Sequence, residues 1–280
     1  MEMIEAWISI APGAFCTKDL SQDRDIQVFL ETRLEQCVDA GILDRHGERR
    51  GWYIPRQLEL EEMDFVNADD TPLDIWFPFD IDRKVELYEN SIVIVAGTWN
   101  AGKTAVLLNI IAQNRYKWEI KYFNSEMSAA ELRKRLSKFE QEGISIDQWN
   151  FKAYRRAGRF ADVIFPGPGC LNIIDFLECH TDFYEMGKKI KEIHDRLQGG
   201  IAIIAVQKNR GLENDMGLGG NRMMEVARLV ISLDPGRVKI TKAKNFADPL
   251  SNPNGEMRDF KLFNGYKITH KQPWYREKTE

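Results

Sequence analysis

The chain has 280 residues, 43% of them hydrophobic and 29% charged, with a formal net charge of −4 and a pI near 5.8. That length accommodates one large α/β domain plus a small one, and the mild acidity excludes a uniformly basic surface, so any nucleic-acid contact must come from a local patch or from a channel built by several subunits. No apolar run approaches the roughly 18–20 residues of a membrane span, and Cys16, Cys37, Cys170 and Cys179 form no C-x-x-C pair, which predicts reduced thiols rather than disulfides or a zinc site.

The first thirty residues carry Glu2, Glu5, Asp19 and Asp23 where an export signal would be basic and then apolar, which predicts a cytoplasmic protein. A short helical start at Ile4–Ile10 is followed by Ala-Pro-Gly and a second helical turn from Phe15 to Leu20. From Asp23 to Ala40 the apolar positions Ile26, Phe29, Leu30, Leu34, Cys37 and Val38 recur at three- and four-residue spacing, and Gly41 supplies a C-cap. Two β-like runs then flank a basic, glycine-bearing turn between Ile42 and Ile54. Helix, helix, long helix and hairpin resembles a winged helix-turn-helix module over residues 1–56. Seven basic side chains stand against ten acidic ones there. The turn nevertheless concentrates Arg45, His46, Arg49 and Arg50 beside Trp52 and Tyr53, a candidate DNA contact or, equally, part of a protein-docking module.

Residues 57–80 carry eight carboxylates and two prolines and are expected to be an exposed acidic linker. After it, Ser91-Ile-Val-Ile-Val-Ala-Gly-Thr-Trp-Asn-Ala-Gly-Lys-Thr runs from a buried strand through Gly-x-x-x-x-Gly-Lys-Thr into an apolar helix. This is a phosphate-binding P-loop. Gly97, Thr98, Trp99, Asn100, Ala101, Gly102, Lys103, Thr104 and Ala105 form the cradle, with backbone N–H groups and a helix N-terminus directed at an anion. Lys103 is expected to neutralise phosphate charge and the Thr104 hydroxyl to bind Mg²⁺, while Trp99 is expected simply to pack.

Downstream, strands are expected at 92–96, 120–123, 151–154, 171–174, 201–206 and 230–233, with helices at 103–113, 128–140 and 181–197. This alternation is that of a mainly parallel sheet covered by helices. Asn124-Ser-Glu-Met-Ser follows the second strand and places Glu126 at its C-terminal edge, where a general base can orient water toward the γ-phosphate. Leu171-Asn-Ile-Ile-Asp ends in Asp175, a candidate Mg²⁺ support interrupted by the polar Asn172. Glu178 is a weaker alternative base, and His180 is expected to be structural. Ile201-Ala-Ile-Ile-Ala-Val ends in Gln207. The loop from Lys208 to Arg222 holds four glycines with Lys208, Arg210 and Arg222, but also Glu213 and Asp215, and so reads either as a lining for single-stranded nucleic acid or as an ordinary surface loop.

The P-loop and the Asn-Ser-Glu-Met-Ser stretch, with Asp175 and Gln207 in order behind them, resemble the RecA-like ATPases of the DnaB-type helicase and KaiC group over roughly residues 85–270. The resemblance implies Lys103, Glu126 and Gln207 as catalytic residues, Thr104 and Asp175 as metal supports, ATP and Mg²⁺ as ligands, and a homo-oligomer, possible as a hexamer, acting on DNA. It also implies a trans-acting finger, here Lys242 and Lys244. An ammonium cannot make the planar bidentate contact of the family's arginine. The expected organisation is a winged-helix-like module at 1–56, a linker at 57–80, an ATPase domain at 81–270 and a tail at 271–280. An ATP-gated DNA regulator or loader, and a signalling ATPase with a protein partner, are the alternatives.

Overall fold

The computed structural model describes residues 4–277 except 5–6, 9–10, 12, 57–61, 178–182, 209–224 and 271, with backbone only at 183–184. The chain divides into two compact units, Met1–Ala68 and Asp69–Glu280.

In the first unit, β1 (Phe15–Cys16), α1 (Thr17–Leu20), α2 (Arg24–Asp39), β2 (Leu43–Arg45) and β3 (Trp52–Pro55) follow in order, and the strands pair antiparallel as β1-β3-β2. Asp23 caps α2 by accepting from the Asp25 and Ile26 N–H groups at 2.9 and 3.2 Å. Leu30, Leu34 and Cys37 are the buried positions of α2, and Leu34 and Cys37 meet Ile8, Phe15, Leu43 and Tyr53 in a small core. Ile26 and Phe29, expected on that buried face, are exposed. A core this small covers only the i, i+4, i+7 stripe of the helix.

The second unit is built on an eight-stranded sheet, with β4 (Ile92–Gly97), α3 (Lys103–Asn114), β5 (Glu119–Asn124), α4 (Ala129–Leu136), β6 (Lys152–Arg155), β7 (Cys170–Leu177), α5 (Phe183–His194), β8 (Ile201–Gln207), β9 (Leu229–Asp234), β10 (Arg237–Ala243) and β11 (Met257–Asp259). The order is β11-β10-β9-β4-β8-β7-β5-β6. The six strands from β9 to β6 run parallel, and β10 and β11 are antiparallel at one edge. The central strands are apolar on both faces because both faces are covered. Val93, Val95, Tyr122, Ile173 and Ile203 pack with Leu107 and Ile111 of α3. Ile92, Ile94, Phe123, Ile174 and Ile204 pack with Met186 and Ile190 of α5 on the other side. Asn172, the polar interruption in β7, is fully buried and satisfied, exchanging hydrogen bonds with the Phe165 backbone at 2.9 Å in each direction.

Three expectations need correction. The linker does not extend to residue 80, because Ile75, Phe77 and Phe79 are core residues and Asn114 brackets Trp76 through its N–H and C=O, both at 2.9 Å. The tail is not free among its described residues, since Tyr275 exchanges backbone hydrogen bonds with Met257 and the Trp274 indole N–H donates to the Phe79 carbonyl at 3.0 Å. The helix expected at 128–140 is α-helical only to Leu136 and continues as a 3-10 turn over Ser137–Glu142. A final hairpin, β12 (Lys261–Phe263) with β13 (Lys267–Thr269), was not expected.

Candidate nucleotide site

In a parallel sheet the C-terminal strand ends share one edge, and that is where this site forms. The register sets Gly97 beside Gln207 and Asn124 beside Asp175. Four segments far apart in sequence thereby surround a cavity of about 380 Å³, lined by the P-loop from Trp99 to Ala105 together with Glu126, Asp175 and Gln207.

Gly102 adopts φ +94° immediately before α3, a left-handed conformation that suits glycine. At Gly97 the requirement is space, since a Cβ would lie 2.8 Å from Lys103 Cγ. Lys103 Nζ donates to the Gly97 carbonyl at 2.9 Å, the Thr98 carbonyl at 3.1 Å and Gln207 Oε1 at 3.0 Å. Burial lowers the Lys103 pKa, opposed by the charges of Asp175 and Glu126. The ammonium therefore sits among exchangeable oxygens that phosphate oxygens can replace, and Gln207 is directly coupled to it.

Asp175 is buried, and Tyr122 donates to its Oδ2 at 2.7 Å. Burial raises its pKa against hydrogen bonds from Tyr122 and Thr104 and the charges of Lys103 and Arg135. The desolvated carboxylate and the Thr104 hydroxyl are hard oxygen donors suited to Mg²⁺, which is commonly held by few protein ligands together with water and substrate phosphates. No cluster of three or more acidic, histidine or cysteine ligands occurs among the described residues. The pair therefore fits a phosphate-linked Mg²⁺ and does not form an all-protein cage.

Glu126 is aimed by its own turn. Asn124 Oδ1 accepts from the N–H groups of Glu126 and Met127 at 3.0 and 2.9 Å, and Asn124 Nδ2 donates to the Met127 carbonyl at 2.7 Å. Ser128 caps α4 in a reciprocal box with Glu131, so capping and the placement of Glu126 are separate tasks.

Trp99 differs from expectation, being 74% exposed at the cavity mouth rather than packed. Arg135, Phe176, Leu262 and Gly265 also line the cavity and were not expected there. Arg135 lies nine residues beyond Glu126 and was legible as a helix-borne cation; Leu262 and Gly265 arrive through the C-terminal hairpin, which carries no motif.

Lys208 is a correction. Its side chain is 0% exposed, and Nζ donates to Ser232 Oγ and Asp234 Oδ2, each at 2.7 Å. It is a buried structural cation beneath the P-loop and presents no charge to DNA. Arg210, Arg222, Glu178 and His180 lie outside the described residues. Lys242 and Lys244 do not line this cavity; Lys242 lies opposite Val230 on β10, its pKa lowered by burial and by Lys244 and Arg228. In the first unit Arg45 pairs with Glu35, Arg49 stacks 4.8 Å from the Trp52 ring, and Arg50 is exposed.

No protein-family model and no curated protein sequence matches the chain. Among solved structures, the chain is similar to the RadB recombinase, at 13% identity and a TM-score of 0.51 over 67% of this chain and 93% of that one. It is also similar to a DnaB-like replicative helicase studied for its interactions with primase, at 17% identity and a TM-score of 0.53 over 72% of this chain and 64% of that one, so the match spans less than two thirds of that helicase. The fold is that of the RecA-like P-loop ATPases.

Proposed function

We propose that this chain binds and hydrolyses ATP with Mg²⁺ and couples turnover to work on DNA in replication, recombination or repair. The observation that supports it most is the convergence of Lys103, Thr104, Glu126, Asp175 and Gln207 on one cavity at the sheet edge. Thr104 and Asp175 hold the metal, which when bound offsets negative charge on the phosphates. Lys103 leaves the loop carbonyls for the phosphates, and Gln207, already bonded to it, senses that exchange. Glu126 accepts the proton of the attacking water. Catalysis of this kind is positioning and electrostatics.

The test is steady-state ATP turnover of the wild type and Lys103→Ala, with and without single-stranded DNA, over a range of protein concentrations. The expected result is turnover that rises with DNA and with protein concentration and is abolished in the variant. Slow turnover indifferent to DNA would instead establish a nucleotide switch or a signalling ATPase.

For the front module, the winged-helix reading assigns DNA contact to the turn rather than to α2. That helix presents exposed Ile26, Val28 and Phe29 and carries four acidic against two basic residues, a poor match to phosphate. Replacing Arg49 and Arg50 by alanine is expected to weaken DNA binding and to lower the slope of log K against log salt by about 2, measured by fluorescence anisotropy. Unchanged binding would favour protein docking through α2.

A further inference from the structure

Helix α2 carries apolar side chains on more than one side. Leu30, Leu34 and Cys37 are buried, whereas Ile26, Val28 and Phe29 stand in water at 48%, 61% and 55% exposure. At about 100° per residue, Asp25, Ile26, Thr32, Arg33 and Gln36 all fall within roughly 60° of Phe29 and form one stripe with it, centred about 105° round the helix from the buried positions. Large apolar side chains grouped on one exposed face mark a surface that meets a partner.

The two ends of this stripe are oppositely charged. Asp25 lies four positions before Phe29 and Arg33 four positions after it. Arg33 folds back over the stripe, with its guanidinium 5.2 Å from the Phe29 ring centroid and Nη1 donating to Gln36 Oε1 at 2.9 Å. Glu35 is drawn off to the other side by Arg45 and the Tyr53 hydroxyl. A face with an anion at one end, an aromatic ring in the middle and a cation at the other end is complementary to its own reversed copy.

We propose that α2 of one copy packs antiparallel on α2 of a second copy, about a two-fold axis at Phe29. Rotation about that axis brings Asp25 level with Arg33 of the second copy and Arg33 level with its Asp25, so two ion pairs flank a contact between the two Phe29 rings. Ile26 comes level with Thr32 of the second copy. A parallel pairing would set like charges side by side, and a uniformly acidic or uniformly basic partner would be repelled at one end of the stripe. The contact is isologous and closes at two copies. It involves neither ATP nor DNA and stands independently of the ATPase reading.

One helix face is a small interface, so the test reads proximity and not mass. In the full-length chain Phe29 is replaced by p-benzoylphenylalanine, and an equal mixture of natural and isotopically heavy protein is irradiated without nucleotide. The expected product is a cross-link between a light and a heavy chain with both ends within residues 25–36. Asp25→Arg alone and Arg33→Asp alone are each expected to lower its yield roughly tenfold or more, by opposing like charges. The double variant restores both pairs and is expected to recover the yield, as is a mixture of the two single variants, in which each arginine meets an aspartate of the other chain. Damage to the helix itself would be repaired in neither case, so recovery is specific to the contact. Absence of a light–heavy product, a product whose second end lies in the ATPase unit or in the turn before Trp52, yields that ignore the charge changes, or failure of both recoveries would each overturn the proposal.

Discussion

Glu126→Gln is expected to bind ATP as the wild type does and to turn it over about 10²–10⁴-fold more slowly. The amide is close in size to the carboxylate and leaves the Asn124 turn intact, because that turn is held through the backbone of residues 126 and 127 and not through the Glu126 side chain. What is lost is the ability to take a proton from water. Equilibrium nucleotide binding and phosphate release, measured on the same preparation, separate the two effects. Wild-type turnover in this variant would move the base elsewhere on the cavity rim.

The second large effect concerns stability and is asymmetric. Asp234→Ala is expected to destabilise the protein by about 3–5 kcal/mol, because it leaves the Lys208 ammonium buried without its carboxylate. Lys208→Met is expected to cost less, since the Asp234 side chain left behind is 34% exposed and is hydrated by solvent. Denaturant unfolding of both variants checks the order. The same pair bears on function, because Asp234 also accepts from the Thr98 hydroxyl at 3.5 Å and the Lys208 N–H donates to the Gly97 carbonyl at 3.1 Å. If Lys208 instead served DNA binding, Lys208→Met would leave stability unchanged and reduce affinity for DNA.

Much of the second unit was legible before any coordinates. Strands buried on both faces have to be continuous apolar runs, so Ile92–Gly97 and Ile201–Gln207 announce themselves. The strand Arg237–Ala243 was legible as the segment resembling the family's finger strand, but its antiparallel pairing was not, because alternation with charged residues marks a half-exposed strand without giving its direction. The run Leu73, Ile75, Phe77 and Phe79 did carry a signal, a two-residue alternation of apolar residues, which the surrounding carboxylates and prolines masked. For the front module, periodicity located α2 correctly, yet it misassigned Ile26 and Phe29 to the core. Amphipathic spacing says which residues share a face and not how much of that face a small partner sheet can cover.

For the site, the contiguous Gly-x-x-x-x-Gly-Lys-Thr by itself raises the expectation of a phosphate cradle, because that chemistry uses backbone N–H groups and side chains within eight successive residues. Proximity of Lys103 to Gln207, a hundred positions away, is a property of the strand order, which inserts β8 beside β4. The fate of Lys208 was likewise decided in three dimensions. In the sequence it opens a glycine-rich cationic loop, and in the fold it is buried and paired with a carboxylate from β9. The chain alone determined which local chemistry is present, since turns, helices and apolar strands are written in neighbouring residues. Only the tertiary structure decided which charges meet, because desolvation and pairing depend on partners that sequence distance does not reveal.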